Sequence, residues 1–300
     1  MNQLSVDLPL VCLIPALILC GYVLYKDRLE PEPVGLLVLL FGAGVVCGAG
    51  GFFAQKYLIV WLDTFFANSM EMMENGLMVY ASAGTELLHH SLCAFVGIAL
   101  VQVLLKWAAM FLLTHRNKNF NYIYDGVVYA TVLSLGYALA ECGAFAFVNG
   151  VEMLAPKLLA SIPAHLFVGI LMGWFYTMWR ARFMANRIEN KLLKAGLAQE
   201  DRIRSSAPWL VMSFLVPMAL DGLYFLTANR QGSALTTLFI TTVFVLYGIS
   251  FIVIDRLASS DRSCKRYLVR MIAAGHPDVD MQQLEAIVDG DDEEAADEEA

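Results

Sequence analysis

YDGVVYATVLSLGYALAECGAFAFVN, residues 124–149, decides how this chain is read. It is longer than the about 20 residues needed to cross a bilayer. Apart from Asp125 at its start it carries one carboxylate, Glu141, well inside the apolar run. A charge at the centre of a bilayer costs at least about 2.5–3.5 kcal/mol, so Glu141 calls for a function. Four more ionisable side chains share its predicament in other apolar stretches: Glu86, His89, His165 and Asp221.

Composition sets the same frame. The chain is 58% hydrophobic and 16% charged, against about 25% charged in a soluble domain. The formal net charge of −8 misleads, because eleven acidic residues and no Lys or Arg follow Gly275. Upstream, twenty basic residues face seventeen acidic ones. The stretch 289–300, DGDDEEAADEEA, reads as a disordered acidic tail. Six scattered cysteines show no CxxC spacing, which predicts no disulfide framework. Cys93 and Cys142 read as small core residues. Nothing in the chain points to nucleic acid.

The pattern predicts an all-α polytopic bundle of about seven spans, near 6–25, 34–53, 79–105, 124–149, 158–180, 208–229 and 234–255. The third pattern continues to about Leu113, so that helix is long or bent, with Lys106 snorkelling near its end. Sixteen Lys and Arg fall on one side of this arrangement; Lys56, Lys157 and Arg230 fall on the other. The positive-inside rule then places the N-terminus outside and the C-terminus inside. Residues 1–258 form the transmembrane domain. Within it, 54–78 is an extracytoplasmic interfacial helix or lid, and 181–207 is a basic, solvated cytoplasmic linker. Residues 259–288 form a cytoplasmic segment before the tail. Gly42, Gly44, Gly48, Gly50 and Gly51 allow close helix approach in the second span.

In that orientation the five residues lie about 10–16 Å below the outer ends of their helices. Glu86 and His89 are spaced i, i+3 and share a helix face. Such a spacing suits two ligands of one metal, and two His with several carboxylates complete a Zn²⁺ site with an open water position. Plainer readings compete: a structural Glu–His network for Glu86, a backbone hydrogen bond for His165, a helix break at Asp221-Gly222. His90 is a packed neighbour or an alternative ligand. His115 and His276 read as solvent-exposed.

KDRLEPEP at 26–33, YDGVVYATVLSLGYALAE at 124–141 and SIPAHLFVGILMG at 161–173 resemble, in order, the DRxEPEP loop, the DG…FxxxE helix and the His-bearing helix of the PrsW family of intramembrane metalloproteases. The EPEP prolines stiffen the loop, Glu30 and Glu32 favour the start of the second span, and Asp125 caps the fourth. The family's EExxK motif is read at Thr85-Glu86-Leu87-Leu88-His89, FxxxE at Tyr137 to Glu141, and HxxxD at His165 with Gly169 in the Asp place. A late helix, MALDGLYF, supplies Asp221 where relatives carry His.

The resemblance implies a protease of the bacterial plasma membrane that cleaves a membrane protein near its extracytoplasmic face, an anti-sigma-factor-like single-span protein being one class of substrate. His89, Glu141, His165 and Asp221 are the expected metal ligands, the metal being Zn²⁺. Glu86 is the expected base, with Thr85, His90 and Tyr137 supporting them. Two other classes remain open from sequence: a metal-ion or proton transporter, and a catalytically inactive relative that binds membrane partners.

Overall fold

The computed structural model describes every residue except 1–3, 28, 73–77, 151–153, 198–202, 229–232, 278 and 299–300. The order is α1 (Leu4–Lys26), α2 (Val34–Phe66), a short hairpin of β1 (Met70–Met72) and β2 (Met78–Tyr80), α3 (Ala83–Leu92), α4 (Val101–Thr114), α5 (Asp125–Asn149), α6 (Leu154–Lys194), α7 (Ala207–Ala228), α8 (Ser233–Ser259), α9 (Cys264–Gly275) and α10 (Met281–Glu298). A π-helical segment, Cys93–Leu100, joins α3 to α4 without interruption. Six of the helical stretches among the described residues are long and apolar enough to cross a membrane, and α1 coincides with the first span read from sequence. The chain is an integral, all-α membrane bundle.

α5 is the hub. It packs on α2, α6 and α1, and nearly all of its residues from Asp125 to Ala138 are buried. Its contact with α2 is backbone to backbone. A Cβ on Gly44 would lie 2.1 Å from the Leu133 carbonyl oxygen, and one on Gly136 would lie 2.3 Å from that of Phe41. In lipid, whose tails are as apolar as the helices, no hydrophobic force drives helices together, and such close packing supplies the attraction instead. Gly42 and Gly50, by contrast, face open space. Val46, Phe53, Leu112, Phe147 and Phe244 point outward, as a lipid-facing surface requires.

Several sequence expectations change here. α2 does not stop near residue 53. Nothing between Gly51 and Phe66 breaks a helix, so it continues for 33 residues, about 50 Å, and the segment expected over 54–78 as an interfacial helix or lid is the last turns of α2, a 3-10 turn at Ala67–Ser69 and the hairpin strands; residues 73–77 lie outside the described residues. Lys106 does not snorkel; it is fully buried. Asp125 accepts hydrogen bonds from the backbone N–H of Asn121 (2.8 Å) and Tyr122 (2.7 Å), so it braces the turn before α5 rather than capping the helix. Glu32 and Glu30 do not serve the start of α2 alone: they accept hydrogen bonds from Tyr129 Oη (2.6 Å) and Asn121 Nδ2 (2.9 Å).

The basic stretch after residue 180 is not a free solvated helix. It is the end of α6, and its apolar face (Ala185, Ile188, Leu192) closes a small core with Leu268 and Ile272 of α9 and Leu284 of α10. His276 is buried there, 3.5 Å from Glu189. Residues 198–202 of the expected linker lie outside the described residues. α10 runs on through Glu298, into the stretch read as disordered, because Ala and Glu are strong helix formers; 299–300 lie outside the described residues.

Candidate functional site

Spacing of four residues along three helices builds the buried polar centre of the bundle. On α6, Lys157, Ser161 and His165 fall on one face; on α5, Tyr137 and Glu141; on α4, Gln102 and Lys106. These faces converge on Glu141. Its Oε1 accepts from Lys157 Nζ (3.1 Å) and Gln102 Nε2 (3.3 Å), and its Oε2 from Ser161 Oγ (3.1 Å) and His165 Nε2 (2.8 Å). Lys106 Nζ stands 3.2 Å from His165 Nδ1. An ammonium can only donate, so Nδ1 is the acceptor and Nε2 carries the proton given to Glu141. The Tyr137 ring lies 5.4 Å from the His165 ring and 5.2 Å from Lys106 Nζ, while its hydroxyl accepts from Gln55 Nε2 at 2.9 Å.

Asp221 completes the charge. It comes from α7, is 1% exposed, and has no hydrogen-bond partner for either carboxylate oxygen among the described residues. Lys106, Glu141 and Lys157 are the charges that act on it. Two ammonium groups thus face two carboxylates around a neutral imidazole. A cavity of about 230 Å³ lies between α6, α7 and α8; its lining is mostly apolar, Ala164 and Leu246 among it, with Asp221, Tyr224, Thr227 and Thr242 the residues that carry polar groups.

The remaining expected residues sit elsewhere. Glu86 is half-exposed and pairs with His90 at 3.7 Å. His89 is buried, but against Asp63 and Cys93: Nε2 is 3.0 Å from Asp63 Oδ1 and 3.4 Å from Cys93 Sγ. Thr85 belongs to the start of α3, where Ser82 Oγ accepts from its N–H at 3.2 Å. So the structure joins Glu141, His165, Asp221 and Tyr137, and it leaves Glu86, His89, His90 and Thr85 in a separate set. Sequence reasoning missed Gln102 and Lys106. The signal was partial: Gln102-Val103-Leu104-Leu105-Lys106 has the EExxK spacing with its Lys intact, but Gln and Val stand at the two Glu positions. This stretch, rather than Thr85–His89, faces Glu141 and His165.

A family model described as PrsW family intramembrane metalloprotease matches residues 32–254, a range that contains every residue of the buried centre. The chain belongs to the PrsW family. Among its relatives, Protease PrsW of Oceanobacillus iheyensis is 26% identical over 232 residues, covering 77% of this chain and 86% of that one. Protease PrsW of Bacillus subtilis is 25% identical over 210 residues, covering 70% and 77%. No solved structure matches. Membership in this bacterial family and the six apolar helices make the chain a bacterial membrane protease by relationship.

Proposed function

We propose that this chain is a metal-dependent intramembrane protease centred on Glu141, His165 and Asp221. The observation that carries the reading is the Asp221 carboxylate: buried, without a hydrogen bond among the described residues, on a residue that lines a mostly apolar cavity. Burying an unpaired carboxylate is costly, and a cation beside it removes that cost. One imidazole and two carboxylates form a donor set suited to Zn²⁺. The fit asks three concessions: protein donors already satisfy Glu141, both ring nitrogens of His165 are engaged, and the three residues are not a set of ligand atoms within 4.8 Å of one another, so Asp221 must draw in around an ion. Lys157 is the donor with a way out, its side chain being 20% exposed, and it is the one an ion displaces.

Bound there, the metal supplies Lewis acidity and an activated water. Of the two carboxylates, Asp221 is the one whose lone pairs are unused and would be open to an ion or a proton, whereas every acceptor position of Glu141 is filled. Gln102 and Ser161 hold Glu141 in one orientation. An ion on the His165 ring would replace either the Lys106 contact at Nδ1 or the proton at Nε2, and a displaced Lys106 ammonium would be placed to steady negative charge on a peptide carbonyl oxygen. The α6–α7–α8 cavity excludes water and accepts an apolar side chain of a substrate helix arriving through the lipid. With the basic end of the bundle placed in the cytoplasm, the centre lies toward the extracytoplasmic face, and the substrate is a membrane protein.

A second reading has one observation in its favour. Gln102 and Val103 stand where the motif has its two carboxylates, and neither an amide nor an alkyl side chain takes a proton. On that reading the chain binds membrane partners and cleaves nothing. Terminal-peptide proteomics on cells expressing wild type, Glu141→Gln and Asp221→Asn separates the two. Protease activity predicts cleaved membrane-protein fragments in wild type and a loss of at least about 10²-fold in both variants, with the variants folded and inserted. Identical fragment sets in all three would overturn the reading and favour the inactive one.

A further inference from the structure

The second polar set lies apart from this centre, where the end of α2 meets α3 beside the hairpin. Among the described residues, one group of three metal-ligating atoms lies within 4.8 Å of one another: Asp63, His89 and Cys93. His89 and Cys93 are buried on consecutive turns of one helix face; Asp63 reaches them from α2 with its side chain 53% exposed. In a tetrahedral zinc site, bond lengths of about 2.0–2.3 Å put neighbouring ligand atoms about 3.3–3.6 Å apart. The His89–Cys93 and Asp63–His89 separations are 3.4 and 3.0 Å, and Asp63 lies within 4.8 Å of Cys93, so the three atoms already stand near the spacing of such a site. On the far side of the ring, Tyr80 Oη lies 2.6 Å from Nδ1. That contact is the outer partner a metal-bound imidazole needs to fix its tautomer and orientation. Phe66 packs against the same ring at 4.9 Å and shields it from water.

We infer that Asp63, His89 and Cys93 bind a zinc ion, with Tyr80 orienting His89, at a site distinct from the Glu141 centre. Imidazole, thiolate and carboxylate together select a borderline-soft divalent ion over Mg²⁺ or Ca²⁺. On binding, Cys93 gives up its thiol proton to solvent, His89 binds through Nε2, and its Nδ1–H donates to Tyr80 Oη. The exposed Asp63 provides the way in, and a water takes the fourth position. The ion ties α2, α3 and β2 together at a place where the described contacts are otherwise a few side chains. The site adds to the protease reading and stands or falls without it.

The test uses the purified full chain, stripped of metal and titrated with Co²⁺ in detergent. Expected is a thiolate-to-cobalt charge-transfer band saturating at one equivalent, lost in Cys93→Ser and His89→Ala and kept in Glu141→Gln and His165→Ala. Tyr80→Phe should weaken binding about tenfold or more. A parallel measurement needs no variant: saturating Zn²⁺ should slow alkylation of Cys93 in the wild type, read by mass spectrometry of its peptide. A wild type with no thiolate band, or Cys93 alkylated equally fast with and without Zn²⁺, would overturn the inference. Asp63 and His89 would then be an ordinary ion pair beside a packed cysteine.

Discussion

Lys106 shows what a single side chain does in this protein. A lysine has three donors and no acceptor, and this one is fully buried, with His165 Nδ1 at 3.2 Å and Glu141 and Asp221 as the opposing charges. Removing one partner of a buried charge set leaves the others uncompensated, at about 3–5 kcal/mol. Lys106→Met should therefore destabilise the bundle by roughly that amount, and the double variant with Asp221→Asn should recover part of it; unfolding in detergent measures both. The sequence made Glu141 and His165 legible because an ionisable group deep in an apolar run is costly, even though His165 alone could have been a histidine bonded to a backbone carbonyl. Lys106 and Gln102 escaped because each has a harmless explanation: a lysine near a helix end snorkels, and an amide carries no charge. Asp63 escaped because it sits in a stretch that reads as interfacial.

At the scale of helices, the α2–α5 crossing sets the position of the centre. Gly44 and Gly48 approach the backbone of α5 at Leu133 and Tyr137, one turn or two from Glu141. A side chain there must push the two helices apart, carrying Tyr137 and Glu141 away from His165. Gly44→Ile should lower the melting temperature and weaken proteolysis together. Gly42→Ile, on the open side of the same helix, should leave both near wild type, apart from the propensity change of a few tenths of a kcal/mol. The helices themselves were readable from apolar run lengths. Which of five glycines makes the crossing was not, since that depends on the rotation of α2, and rotation is fixed by the partner helix.

The whole molecule is stitched at its basic end by carboxyl groups outside the spans. Burial pushes the Asp27 carboxyl from its ordinary 3.8 up to about 6, helped by Asp261 and Glu30. Burial also pushes Glu32 from 4.5 to about 7, against the hydrogen bond from Tyr129. Both folded-state values lie above the unfolded ones, so the folded chain binds more protons between them. Stability is then fullest below about pH 4, declines as pH rises through about 6 to 7, and is flat above. Thermal unfolding should give a lower melting temperature at about pH 8 than at about pH 5, and Asp27→Asn with Glu32→Gln should flatten the curve. The family's proline-rich loop is therefore a proton-sensitive seam between α1, α2 and α5, a property its sequence does not advertise because it arises from burial.

The π-helical run from Cys93 to Leu100 carries one more consequence. It starts at Cys93 and separates the turn bearing His89 from the turns bearing Gln102 and Lys106, and it sets the angle between them as a screw thread sets the angle between two marks. Dropping one residue from that run would rotate everything beyond it by about 100°. One mark would lose its partners: either Lys106 would leave His165, or His89 would leave Asp63. Residue count in these eight positions is as binding a constraint as residue identity elsewhere, so the stretch accepts substitutions far more readily than insertions or deletions.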